Sequence, residues 1–181
     1  MLRKSDQISE LLHSELAPFV DNRGSFTRLC DVREIASMNI DFKIENVNLS
    51  INPKQHTLRG FHYSEGLPAE HKLFVCIKGS IINFTIDTRI DSPSFGKVEK
   101  SKLSESSNAT LFVPGGCANA WMTLEDDTRV LYLVGSQYDA SRERGLRFDD
   151  PFFNIPWPTS PSVISSKDLS WKPFRPDRPI T

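Results

Sequence analysis

The stretch LRGFHYSEGLPAEHKLFVCIKGS, residues 58–80, sets Arg59, His62 and Lys72, with glycines at 60 and 66, around one apolar strand pattern. These residue types can move protons. An imidazole titrates near neutral pH and can take a proton. A carboxylate on its other nitrogen fixes the tautomer, an ammonium stabilises a developing enolate, and a tyrosine can return a proton from the opposite side. Such a set suits proton abstraction next to a ketone. Spacing alone leaves a plainer reading open, with His62 a surface or satisfied core residue and Lys72 an edge charge of a half-buried sheet.

Other chemistries fit less well. Metal-binding barrels use a His-x-His pair with a downstream carboxylate, but positions 60 and 64 are Gly60 and Ser64. His13, His56 and His71 assemble no ligand spacing either, so no metal site is expected. Cys117 in VPGGCANAW has no thiolate-activating pattern around it. The PGG of the same segment leads into a strand pattern, not the helix that a phosphate-cradling loop requires.

The elements that must position these residues read as strands. Turn signals recur at short spacing between apolar runs at 44–51, 57–63, 72–78, 81–88, 97–102, 109–113, 117–123 and 128–134. One short helix is expected over 31–38, with Asp31 as its N-cap. From Pro151 onward the chain holds seven of its twelve prolines and is expected to wrap the outside as extended chain and turns. With 181 residues and no internal repeat, one domain over 1–181 is expected, 151–181 being its tail.

Side chains alternate along a strand with a period of two. Asn46, Asn48 and Ser50 therefore oppose Val47 and Leu49, and Asn83, Thr85 and Asp87 oppose Ile82, Phe84 and Ile86. The same rule places His62 opposite Arg59, Phe61 and Tyr63, and puts Tyr132 with Thr128, Val130 and Val134. Either the polar faces meet water in an ordinary sandwich, or they line a barrel that holds a ligand. Alternation does not choose between the two.

Bulk properties narrow the partners. A net charge of −1 and a pI near 6.4 give no footprint for nucleic acid. The start, MLRKSDQISELLHSELAPFVD, lacks the apolar run of a signal peptide, and no segment approaches the roughly 18 apolar residues of a membrane span. Cys30, Cys76 and Cys117 are odd in number and widely spaced, so reduced thiols and a cytoplasmic location are expected.

Nine ordered segments then carry a resemblance: VDNRGSF (20–26), VNLS (47–50), LRGFHY (58–63), HKLFVCIKGSI (71–81), IDTRIDSPSFGK (86–97), LS (103–104), VPGGCANAW (113–121), VLYLVGSQYD (130–139) and DDPFFNIPWP (149–158). From about residue 19 to 170 the chain resembles the dTDP-4-dehydrorhamnose 3,5-epimerase family. The resemblance implies an all-β, cupin-like jelly-roll barrel with few short helices and an extended C-terminal tail. It implies a homodimer that exchanges N-terminal strands, and a nucleotide-diphosphate 4-keto-6-deoxyhexose as substrate, in deoxysugar or surface polysaccharide (O-antigen) biosynthesis. No cofactor is implied, because the ketone itself acidifies the protons at C3 and C5.

By motif, His62 matches the family's general base and Asp168 of SSKD the carboxylate that pairs with it. Lys72 matches the residue near the C4 oxygen, and Tyr132 the proton donor on the other face. Arg59 matches a diphosphate ligand. Arg23 and Phe26 match partner-subunit residues that reach the nucleotide, and Tyr138 a second active-site tyrosine. Several positions depart from the family's pattern. Arg28 stands for a glutamate, Asn46 for a glutamine, Ser64 for a glutamine, Asn83 for an aspartate, and Asn119 for a histidine, with Trp121 for a phenylalanine. Asn119 cannot carry positive charge and Asn83 cannot carry negative charge. The expected consequence is an altered substrate. A non-catalytic sugar-nucleotide binder and a 3,4-ketoisomerase are the competing readings.

Overall fold

All eight alternating runs form strands, because each presents an apolar face that only packing against another layer removes from water. In the computed structural model, which describes residues 2–174, they are β5 (Asn46–Asn52), β6 (Leu58–Ser64), β7 (Lys72–Lys78), β8 (Ser80–Asp87), β9 (Val98–Ser104), β10 (Ala109–Val113), β11 (Cys117–Thr123) and β12 (Thr128–Val134). Five shorter strands were not legible: β1 (Leu2–Lys4), β2 (Leu12–Glu15), β3 (Phe19–Asp21), β4 (Gly24–Phe26) and β13 (Glu143–Gly145). Helix α1 (Val32–Ala36) begins where expected, with the Asp31 carboxylate accepting from the Arg33 N–H at 3.0 Å. The tail is not wholly extended. It contains α2 (Ser166–Ser170), and its last seven residues, 175–181, lie outside the described ones.

A six-stranded sheet runs β1-β2-β10-β7-β12-β5 and a five-stranded sheet runs β13-β6-β11-β8-β9, with β3-β4 as a separate hairpin. The strand pairs are antiparallel, and the two sheets face each other as a jelly-roll barrel. Phe74, Cys76, Leu111 and Val130 of the first sheet meet Ile81, Leu103, Cys117 and Trp121 of the second in the interior. Both outer faces are also covered. Ile82, Phe84, Ile86, Ala120 and Met122 lie under tail residues that include Phe153 and Trp157, the latter edge-on to Phe84 at 4.8 Å. Leu73, Val75, Phe112 and Leu133 lie under Ile35, Ile40 and Phe42.

This burial decides between the two readings of the alternation. The apolar residues of β8 point outward beneath the tail, so Asn83, Thr85 and Asp87 share the interior face with Ile81, and all three are buried. The interior is partly polar, as in a barrel that holds a ligand.

Asp87 closes the 88–97 loop at the foot of that interior. It accepts from the Arg89 backbone N–H (3.0 Å) and guanidinium (2.9 Å), and from the hydroxyls of Ser92 (2.5 Å) and Ser94 (2.6 Å). Burial pushes its carboxyl up, and the bonds from Arg89, Ser92 and Ser94 outweigh burial and bring it down to about 2. A depressed folded-state value stabilises the protein above the unfolded value and loses that contribution as pH falls. The contribution is therefore complete above about pH 4, fades toward pH 2 and amounts to about 2 kcal/mol. Asp87→Asn is expected to lower stability at pH 7 and to flatten its decline between about pH 4 and pH 2, as read by urea unfolding against pH. The neighbouring Cys117 thiol is pushed up by burial and by Asp87, which removes it as a nucleophile.

Candidate active site

The site is built around an irregularity in β6. His62 pairs with Asn119 of β11 and Arg59 pairs with Trp121, so Gly60 and Phe61 together oppose Ala120 alone. Such a bulge advances the side-chain phase by one residue. Strict alternation separates Arg59 from His62; the bulge returns both to the interior face, where they line one cavity. Only glycine fits the turn of this bulge. Gly60 has φ +111°, and a Cβ there would lie 2.5 Å from the Asn119 carbonyl oxygen and 2.8 Å from Ala120 Cα. Arg59 is held by its Nε–H, which donates to Asn52 Oδ1 at 3.0 Å, with its guanidinium 5.9 Å from the Trp121 ring centroid.

Asp168 reaches His62 from the tail. Ser165 caps α2 by accepting from the Asp168 N–H at 3.0 Å, which turns the Asp168 side chain inward to 3% residue exposure. His62 Nε2 lies 2.6 Å from Asp168 Oδ1, and Asp168 Oδ2 accepts from the Gly60 N–H at 3.2 Å. Burial pushes the Asp168 carboxyl up, but the His62 bond and charge, the Gly60 N–H and Ser165 outweigh burial and hold it below the usual range. An ionised carboxylate can only accept, so Nε2 carries the proton and Nδ1 keeps the basic lone pair. An imidazole so oriented by a carboxylate can act as a general base.

Strand β13 docks α2 beside this pair. Gly145 pairs with His62, and Trp171 lies so close over Gly145 that a Cβ there would come within 2.2 Å of the indole. Two residues further on, Arg147 Nη1 donates to the Leu169 carbonyl at 2.7 Å. Gly145→Ala is expected to displace Trp171 and α2, and Asp168 with it. A fall in kcat of up to about 100-fold, the effect of a 1 Å misplacement, with only a modest change in Tm, is the outcome to check by kinetics and thermal unfolding.

Lys72 opens β7, and Tyr132 lies on the adjoining β12, its ring stacked on Phe74 at 5.6 Å between centroids. Lys72 Nζ forms an ion pair with Glu70 Oε1 at 3.0 Å, both side chains largely buried. His62, Lys72 and Tyr132 stand where two lobes of one cleft meet. A lobe of about 470 Å³ extends past Arg59, Asn119 and Trp121 toward Lys167. A lobe of about 350 Å³ extends past Asn46, Asn48 and Glu70 toward Tyr138 and Glu143.

The remaining sequence candidates divide. Asn46 lines the second lobe and donates to the Ser136 carbonyl at 3.1 Å, and Ser64 lines it too. Asn119 lines the first lobe, whereas Asn83 lines neither: it is buried beneath, its amide 3.5 Å from that of Asn119. Tyr138 lines the second lobe, and its hydroxyl donates to Glu143 at 2.9 Å. Arg23, Phe26 and Arg28 are not brought to the cleft within this chain. Arg23 pairs with Asp21, Arg28 pairs with Asp31, and Phe26 is 71% exposed on the β3–β4 hairpin. Sequence reasoning missed Asn52, Glu70 and Glu143. Asn52 continues the phase of Asn46, Asn48 and Ser50, so strand periodicity carried a signal for it, whereas Glu70 lies in the loop before β7 begins and carried none. Among the described residues no group of histidine, cysteine and carboxylate side chains is arranged to hold a metal.

A cupin-like barrel with an imidazole–carboxylate pair facing an ammonium and a phenol across one cleft belongs with the isomerases that work by proton transfer. Within that class the chain belongs to the dTDP-4-dehydrorhamnose 3,5-epimerase family, whose model matches residues 5–176. It is 32% identical over 181 residues to the dTDP-4-dehydrorhamnose 3,5-epimerase of Sinorhizobium fredii, covering 100% of this chain and 93% of the relative. The crystal structure of a dTDP-4-dehydrorhamnose 3,5-epimerase from Bacillus anthracis with TDP and PPi bound superposes with a TM-score of 0.89 at 29% identity, covering 96% of this chain and 99% of that one. A 3'-monoepimerase from Streptomyces bikiniensis in complex with dTDP-quinovose superposes with a TM-score of 0.85 at 28% identity, covering 92% and 84%.

Proposed function

We propose that this protein is an epimerase of a nucleotide-linked 4-keto-6-deoxyhexose in deoxysugar biosynthesis, inverting C3 alone or C3 and C5. The observation that carries the reading is the His62–Asp168 pair opening into the cleft that Lys72 and Tyr132 line. His62 Nδ1 takes the proton from a carbon next to the C4 ketone. The C–H electron pair becomes a C=C bond, and the carbonyl π pair moves to oxygen, where the Lys72 ammonium stabilises it. As the oxyanion pair restores the ketone, the C=C pair takes a proton from Tyr132 on the opposite face of that carbon. His62 then gives its proton up to solvent and the Tyr132 phenolate takes one back. Arg59 and Lys167 in the first lobe supply positive charge for the diphosphate.

The exposed hairpin supports a homodimer in which Arg23 and Phe26 reach the nucleotide of the partner's site. Phe19, Val20 and Phe26 are 67%, 69% and 71% exposed, and the edge strand β5 turns Val47, Leu49 and Ile51 outward. Three free thiols support a cytoplasmic location. We read residues 1–181 as one domain. Incubating the protein with dTDP-4-keto-6-deoxyglucose and assigning product configuration at C3 and C5 by proton NMR tests the activity and its extent. A product with its ketone moved to C3 would instead indicate a ketoisomerase.

A further inference from the structure

We propose that Glu143 is a positioning residue for the His62–Asp168 pair: its carboxylate ties the helix that carries Asp168 to the 135–142 loop that carries Tyr138. The inference rests on the proposed reading of the cleft. Glu143 opens β13, beside Ser64 of β6 and two positions past His62 on that strand. Its side chain is 19% exposed, and one oxygen, Oε2, accepts from both Lys167 Nζ (2.7 Å) and Tyr138 Oη (2.9 Å).

These partners come from elements that cannot hold themselves. Helix α2 has five residues, too few to be stable without tertiary contacts. Lys167 adjoins Asp168, so its bond to Glu143 adds a tether to those that Ser165, Gly60 and Arg147 give the helix and its carboxylate. Tyr138 is 70% exposed on a loop without strand pairing, and its hydroxyl is anchored at Glu143. The three groups line different parts of the cleft: Lys167 the first lobe, Tyr138 and Glu143 the second. Glu143 therefore links a residue of each lobe, Lys167 of the first and Tyr138 of the second. Its position also puts a second negative charge near the imidazole, where positive charge develops as the proton is taken.

The test compares Glu143→Ala, Asp168→Ala and the double variant. Glu143→Ala is expected to lower kcat by up to about 100-fold while KM changes less than about threefold, as expected for a geometric loss in the transition state. The double variant is expected to be about as slow as Asp168→Ala alone, because both changes act through one pair. Independently of turnover, the His62 ring-nitrogen NMR signals of Glu143→Ala are expected to shift toward those of Asp168→Ala. If Glu143→Ala does not fold, Lys167→Met cuts the same link and is read by the His62 ring-nitrogen signals and by kcat at saturating substrate, since Lys167 also faces the diphosphate. Wild-type ring-nitrogen signals in Glu143→Ala, losses that multiply in the double variant, or tighter substrate binding with kcat unchanged would overturn the proposal. The NMR arm decides it even if the wild-type protein turns over no 4-keto sugar, an outcome that would instead remove the functional reading.

Discussion

Replacing His62 with asparagine is expected to lower kcat by about a hundred- to ten-thousand-fold, the range that a positioned general base contributes. KM for the nucleotide sugar is expected to change little, since Arg59 and the rest of the first lobe are untouched. The variant is expected to stay folded. The His62 side chain is one-third exposed, so water can take the place of the imidazole, and Asp168 retains the Gly60 N–H as a donor. Steady-state kinetics beside a thermal unfolding curve check both halves. A folded His62→Asn variant with near wild-type kcat would remove the base from the mechanism.

The second large effect is structural. Gly60→Ala must fit a Cβ 2.5 Å from one backbone atom and 2.8 Å from another, at a φ of +111° that an alanine disfavours. Both neighbours belong to β11, which is paired on both sides and cannot move away. Backbone strain and overpacking together are expected to cost about 3 kcal/mol. For a chain of this size that is a fall in Tm of about 6–12 °C. Activity falls as well, because the bulge places Arg59 and His62 on one face and the Gly60 N–H holds Asp168. Thermal unfolding and kcat/KM measured on the same preparation test this; an unchanged Tm would mean that the bulge does not require glycine.

These two positions mark what was legible in the sequence. The eight long strands were, because seven or so residues of alternating pattern outweigh local exceptions. Strands of three or four residues, β1 to β4 and β13, carry too few side chains for a period to appear. His62 and Lys72 stood out by residue type on such strands. Arg59 was placed on the wrong face because the bulge depends on how β6 meets β11, a pairing across some sixty residues. Asp168 came from motif resemblance alone. Its helix is one turn and a half long in a proline-rich tail, and its inward orientation depends on the Ser165 cap and on β13 beneath it. Glu143 had no local signal at all, since its partners lie five and twenty-four residues away on a loop and a helix.

Transfer of deuterium from solvent to C3 and C5 of dTDP-4-keto-6-deoxyglucose tests the central claim most directly, since removal of those protons is the step assigned to His62. Incorporation catalysed by the wild-type protein and lost in His62→Asn is the expected result. Absence of incorporation at either carbon with this and other 4-keto nucleotide sugars, by a protein that binds them, would contradict it.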